Sequence, residues 1–244
     1  MTNRYRKQWE ALAADDPFWA VLTDPRMKGG KWDSAAFFQT GTDEIGQLVR
    51  DVSELGIEVT PGIALDYGCG VGRLSRALSK AFAQVIAVDI SETMLARARI
   101  EHASFTNIRF IRGNGNDLHS VGDASIDFVY SNIVLQHAPQ ATQRALIAEF
   151  CRVLRPGGAL VFQTPSHPHL NSLNGIVHRL AGNRVLNLAR RLKYGRAGVM
   201  EMHTFRRGRV VELLRRTGMQ LISVQRDDAA GGVFASYRYF AVKP

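Results

Sequence analysis

The chain has 244 residues, 45% hydrophobic, 22% charged and 9% aromatic, with 22 Gly and 8 Pro, a globular composition that excludes a disordered, collagen-like or repetitive protein. Cys69 and Cys151 supply neither a disulfide framework nor a zinc site, the N-terminus lacks an apolar signal segment, and no window approaches 18 apolar residues, so a cytoplasmic protein is expected. The net charge is +9, and between Leu173 and Arg216 stand 11 Lys/Arg against only Glu201 and Glu212, a surplus that invites an anionic partner or a solvated face.

Residues 1–60 read as a largely helical N-terminal cap bearing Trp9, Phe18, Trp19, Trp32, Phe37 and Phe38. From Pro61 onward short apolar runs alternate with amphipathic stretches. IALDY (63–67) reads as a buried strand that ends at a glycine cluster. Leu74, Ala77, Leu78 and Ala81 then recur at helical spacing. VIAVDI (85–90) is a second strand, and Ser91 is an N-cap for the helix after it. IRFI (108–111) and IDFVYS (126–131) are strands three and four. A helix over 141–154 is predicted to stop at Arg155-Pro156-Gly157-Gly158, and ALVFQT (159–164) is strand five. A helix over 204–217 precedes strands 219–226 and 234–242, which have no helix between them and so should pair antiparallel at one edge. The expected fold is α/β, a doubly wound, mostly parallel seven-stranded sheet. Residues 165–203 stand apart as an insertion. In it Leu173, Ile176, Val177 and Leu180 share one helical face, and Val185, Leu188, Ala189 and Leu192 another.

The sharpest signal is Asp66-Tyr67-Gly68-Cys69-Gly70-Val71-Gly72-Arg73. Glycines between a strand and a helix let the backbone turn tightly beside a ligand, and the helix N-terminus beyond them presents unpaired N–H groups. A dinucleotide loop of the form G-x-G-x-x-G would need glycine where Arg73 stands. Asp89 ends the second strand, placed to accept hydrogen bonds from the vicinal hydroxyls of an unphosphorylated ribose.

These motifs resemble the class I S-adenosylmethionine-dependent methyltransferases. ALDYGCGVGRLSRAL (64–78) looks like the family's first motif and VIAVDIS (85–91) its second, while RGNGNDL (112–118) is similar to the loop around the adenine. SIDFVYSNIVLQHAP (125–139) and EFCRVLRPGGALVF (149–162) resemble the later segments. The resemblance implies S-adenosyl-L-methionine as cofactor, with S-adenosyl-L-homocysteine as product, in a methyltransferase domain over 61–244. It assigns Asp66, Gly68 and Gly70 to the methionine moiety, Asp89 to the ribose and Ile90 to the adenine face. Asn116 and Asp117 fall at the adenine edge, beside Asn114 where the family often has Asp, and Asn132 follows strand four.

The acceptor should sit at the carboxyl ends of strands four and five, where Asn132, Gln136, His137, His167 and His169 lie, with His203 further out. His167 is the first choice as general base for an acceptor hydroxyl, and His137 the second. Absences narrow the acceptor. Ser131-Asn132-Ile133-Val134 stands where nucleic-acid amine methyltransferases carry N/D-P-P-Y/F, neither cysteine is placed for base C5 chemistry, and no carboxylate cluster marks a metal. A metal-free methylation of a small-molecule hydroxyl is expected, on a sugar, phenol, polyketide or lipid-like acceptor. The basic insertion, with Arg190, Arg191, Lys193 and Arg196, reads as a lid, a peripheral membrane contact or a dimer element. The alternatives are an RNA-directed enzyme using residues 173–216, with nucleic acid otherwise disfavoured, and a non-catalytic cofactor-binding module.

Overall fold

The computed structural model describes residues 2–169 and 200–244, with side chains from Tyr5 onward. Strands β1 (Ile63–Tyr67), β2 (Gln84–Asp89), β3 (Ile108–Arg112), β4 (Ile126–Ser131), β5 (Leu154–Pro168), β6 (Gln220–Asp227) and β7 (Phe234–Val242) form one sheet. Their order is β3-β2-β1-β4-β5-β7-β6. The first five run parallel, and β7 runs antiparallel to both β5 and β6. The terminal pair is therefore antiparallel at one edge, as the missing helix between its strands requires. Strand order reverses between β1 and β4, which opens a crevice at their carboxyl ends.

The period of two along each strand sorts side chains into two layers. Leu65, Val129 and Leu160 face Leu146, Ile147 and Phe150 of α6 (Gln140–Val153) and Val210 and Leu214 of α7 (Arg207–Arg216). Ala64, Phe128, Tyr130 and Val161 face Ile45, Leu48 and Val52 of α3 (Ser34–Glu54) and Leu74 and Leu78 of α4 (Arg73–Leu78). Each of these apolar side chains is held from water, worth about 1.5–3 kcal/mol for a full-sized one. Helix α5 (Glu92–Glu101) starts at Ser91, whose Oγ accepts from the Met94 amide at 3.2 Å.

Two boundaries differ from the sequence reading. Helix α6 ends at Val153, and Arg155–Gly158 belongs to β5 because Leu154 already pairs with Ile126, ahead of a bulge in the register. Helix α7 begins at Arg207: the Phe205 amide donates to the Pro165 carbonyl at 2.8 Å and the Arg207 amide to Ser166 Oγ at 3.0 Å, holding the approach extended along β5. The apolar faces expected over 173–192 lie outside the described residues.

The N-terminal region is helical: α1 (Thr2–Asp15), α2 (Pro17–Val21), a short 3-10 turn and α3. Asp16 caps α2 through the Trp19 amide at 3.1 Å and also receives the Gly29 and Gly30 amides at 2.9 and 2.8 Å. Phe18, Phe37 and Phe38 stack into a buried cluster with Val71 and Met94. Helix α3 approaches α4 backbone to backbone at Gly41, where an added Cβ would stand 2.3 Å from the Arg73 carbonyl oxygen. Gly41→Ala should therefore cost about 1–3 kcal/mol by overpacking. In thermal unfolding it should lower Tm by about 2–4 °C per kcal/mol; an unchanged Tm would show that the two helices are not locked at this point.

Candidate active site

Tyr67 ends β1 and the loop from Gly68 to Gly72 turns the chain into α4. Gly68 has φ of +79°, and a Cβ there would lie 2.3 Å from the Val134 side chain, so no other residue fits. The Gly68 and Cys69 amides donate to the Val88 carbonyl at 2.7 and 3.1 Å, tying the loop to β2. Asp89, at the end of β2, clasps the same loop: its Oδ2 accepts from the Gly70 amide and its Oδ1 from the Ser91 amide, both at 2.8 Å. Burial pushes its pKa up, against the pull of those amides. A cleft opens over this loop.

Beneath the loop the polar groups are paired almost completely. Asp66 is 1% exposed and accepts from Ser75 Oγ at 2.6 Å; burial pushes its pKa up to about 7. Glu44, reaching in from α3, accepts from Arg73 Nη2 at 2.7 Å, Tyr130 Oη at 2.8 Å and Asn132 Nδ2 at 2.7 Å. Burial works to raise its pKa, but the guanidinium and the other donors outweigh it and hold the carboxylate ionised. The exceptions in this cluster are Asn132 Oδ1 and Arg73 Nε, which are shut off from solvent and have no hydrogen-bond partner.

Helix α1 closes one side of the cleft. Tyr5 and Trp9 line it, and the Trp9 ring meets the His137 ring edge-on at 5.1 Å. Glu10 fixes the helix in place at the N-terminus of α5, accepting from Ser91 Oγ at 2.9 Å, the Glu92 amide at 2.8 Å and the Thr93 amide at 3.0 Å. A carboxylate there satisfies open N–H groups and complements the helix dipole. His137 is buried. A carbonyl can only accept, so His137 Nδ1 donates to the Glu201 carbonyl at 2.9 Å, leaving Nε2 as acceptor beside the Gln136 amide at 3.3 Å. Burial pulls its pKa down to about 4, so the ring is neutral at physiological pH.

A second cleft adjoins the first and shares Ala20, Val21, Ile133 and His137 with it. Trp19, Trp32, Met200 and Met202 line its other side. The indole N–H groups of Trp19 and Trp32 donate to the Asp24 and Leu22 carbonyls at 3.0 and 3.4 Å, Lys28 Nζ stands 5.0 Å from the centre of the Trp19 ring, and Asp24 and Asp228 also line this cleft. Between the clefts Ile133 adopts φ of +61°, rare for a β-branched residue, and its amide donates to Gln163 Oε1 at 3.2 Å.

Of the residues expected from sequence, Gly68, Gly70, Asp89, Ile90, Asn132 and His137 share the first cleft, and Asp66 lies below it. Asn114 and Asn116 are exposed. Asn114 Oδ1 accepts from the Asn116 and Asp117 amides, and Asp117 Oδ1 is engaged by Asn114 and His119; the cleft wall here is Gly113 and Gly115. His167 is exposed, 3.2 Å from Ser166 Oγ, and lines neither cleft. Tyr5, Glu10 and Glu44 went unread, because each acts across 80 or so residues with no local motif. Among the described residues no group of three His, Cys, Asp or Glu is arranged to hold a metal, and no helix is long and apolar enough to cross a membrane. In the described part of the basic segment Glu212 pairs with Arg215 and Arg216 at 3.0 and 2.7 Å, on an exposed face.

Residues 65–162 match the family model of a methyltransferase domain. Over these residues the chain is similar to methyltransferase domains. Around that domain it is similar to the malonyl-(acyl-carrier protein) O-methyltransferase of Pectobacterium atrosepticum, 34% identical over 149 residues, or 59% of this chain and 56% of that one. It is also similar to the demethylmenaquinone methyltransferase of Shouchella clausii, 38% identical over 110 residues, covering 43% of this chain and 46% of that one. The chain thus spans about half the length of these curated relatives. In structure it resembles the magnesium protoporphyrin IX methyltransferase of Synechocystis PCC 6803, solved with bound S-adenosylhomocysteine, at a TM-score of 0.67, 20% identity and full coverage of both chains.

The bond from α1 to the methyltransferase domain is open to test. Glu10 has a lowered pKa, because its bonds to Thr93, Glu92 and Ser91 outweigh burial. Its contribution is therefore present above the ordinary carboxylate range and lost as pH falls through its lowered value. Glu10→Ala should cost about 1 kcal/mol at pH 7 by urea unfolding. The gap to wild type should close as pH drops below about 4.5; a gap unchanged at pH 3.5 would mean that the carboxylate is not the source.

Proposed function

We propose that the chain is an S-adenosylmethionine-dependent methyltransferase acting on an oxygen of a small or lipid-like acceptor. The observation that carries this reading is the clasp of Asp89 on the glycine loop. Each carboxylate oxygen takes one backbone N–H, from Gly70 and from Ser91, and keeps capacity for one more donor, which suits the two hydroxyls of a ribose. Gly113, Gly115 and Ile90 line the cleft together, and Ile90 packs directly on Gly115, where a Cβ would stand 2.6 Å from its side chain; the Ile90 side chain gives a flat base an apolar face. When bound, the cofactor supplies an electrophilic methyl group on a sulfonium.

The chain's own work is to hold, orient and exclude water. Tyr5 and Trp9 line the first cleft, and Trp19 and Trp32 give the second an aromatic wall against which an acceptor can lie. His137 stands on the boundary and keeps Nε2 free of a proton, so it is the side chain we assign to receive the proton of an acceptor hydroxyl. The O-methyltransferase names of several relatives support oxygen as the acceptor atom.

Two measurements test this. S-Adenosylhomocysteine should raise Tm of the wild type by several degrees and leave Asp89→Ala unmoved; a wild type that does not shift would overturn the cofactor assignment. With His137 as base, kcat should stay level from pH 8 down to about 5.5, because the ring is already neutral there. A fall through the ordinary histidine range near 6.5 would remove His137 from the role.

A further inference from the structure

A chain of hydrogen bonds runs to His137 from the interior, and both of its ends are backbone groups. The Ile133 amide donates to Gln163 Oε1 at 3.2 Å, so the Gln163 carboxamide must spend its Nε2 elsewhere. That nitrogen donates to Gln136 Oε1 at 3.3 Å and to Ser236 Oγ, which uses both of its hydrogens. Gln136, its oxygen thus engaged, turns Nε2 toward His137 Nε2 at 3.3 Å. At the far end the Glu201 carbonyl requires a hydrogen on His137 Nδ1, 2.9 Å away. A backbone amide only donates and a carbonyl only accepts, so the two ends set the direction of every bond between them. The Glu201 end excludes the tautomer protonated at Nε2, and the Ile133 end excludes the imidazolium. Gln136, His137, Gln163 and Ser236 are all buried, so water is kept from reversing the order.

We infer that Gln163 is a positioning residue, which orients the Gln136 amide so that His137 is held as the neutral ring with its hydrogen on Nδ1. The use of that ring in catalysis rests on the reading of His137 as the base. The inference gives β5, none of whose residues line either cleft, a part in the reaction. Without Gln163 the Gln136 amide is free to turn over and set Oε1 against His137 Nε2. There it accepts from an imidazolium, whose other N–H keeps the Glu201 carbonyl, so the ring should charge more readily. The titratable groups nearest the ring among the described residues are His203 and Glu201, 3.4 Å apart, and Tyr5 beyond Trp9 on α1. All three stay in place when Gln163 is changed.

The experiment is nitrogen-15 NMR of the full chain labelled at its histidines, with the His137 signals assigned by their loss in His137→Gln. In the wild type at pH 7, Nδ1 should carry the hydrogen and Nε2 none, and the ring should charge only near pH 4. In Gln163→Met the midpoint should rise by about one pH unit or more. The double variant Gln163→Met/Gln136→Met should titrate as Gln136→Met alone, because Gln163 acts through Gln136. A wild-type ring protonated at Nε2 at pH 7 overturns the inference whatever the variants do. So does a Gln163→Met ring that titrates with the wild type, which is what a merely structural role would give, or a double variant that departs from Gln136→Met. If the midpoint rises and the low-pH limb of kcat does not rise with it, the base reading falls and the positioning role of Gln163 stands.

Discussion

A carboxylate withdrawn from water must be met by donors, and three carboxylates meet that requirement in one small region of this protein. Asp66 is answered by the Ser75 hydroxyl, Asp89 by the Gly70 and Ser91 amides, and Glu44 by Arg73, Tyr130 and Asn132. These bonds join the ends of β1, β2 and β4 to the first turns of α4 and α5. Removing a partner from any of them would strand a charge in a poorly solvated place. The shape of the first cleft follows from this pairing more than from the glycines, which permit the turn but do not fix what surrounds it.

The N-terminal helices are bound into the same scheme. Gly41 lets α3 lie against the first turn of α4 closely enough for Glu44, one helical turn further on, to reach Arg73 and Asn132. Glu10 bonds to the start of α5 two residues beyond Asp89, and the same helix carries Tyr5 and Trp9 into the cleft. The elements that cover the site are thus anchored to the elements that bind in it. Movement of α1 would break three hydrogen bonds at the N-terminus of α5 and uncover the ring of His137 together.

The sheet was readable from sequence because its causes are local. Period-two burial, Ser91 as a cap and the turn at Gly68 each depend on a handful of adjacent residues, and the strands lie within a residue or two of where the pattern put them, β5 excepted. Strand β5 runs longer because a register bulge against β4, a property of pairing, decides where it begins. The adenine-loop residues show the same limit: the motif located Asn114 and Asp117 correctly along the chain, but their side chains close hydrogen bonds on each other and on His119. Trp9, Trp19 and Trp32 stood out in the sequence of the N-terminal cap, but nothing local said what they would face. Folding placed Trp9 on one cleft and the other two on the next, a choice made by the packing of α1 and α2.

What separates the two clefts is a strained residue. Ile133 follows β4 in a left-handed conformation, at a cost of about 1–3 kcal/mol, and is held there by the bond from its amide to Gln163, itself fully buried and bonded to Gln136 and Ser236. The strain has a structural consequence: it turns the chain sharply enough after Asn132 that Asn132 remains with the first cleft while Gln136 lines the second and His137 touches both. A relaxed extended residue would carry the strand direction onward and leave no shared boundary. The proposed transfer between two bound molecules needs such a boundary, with a donor on one side and an acceptor on the other.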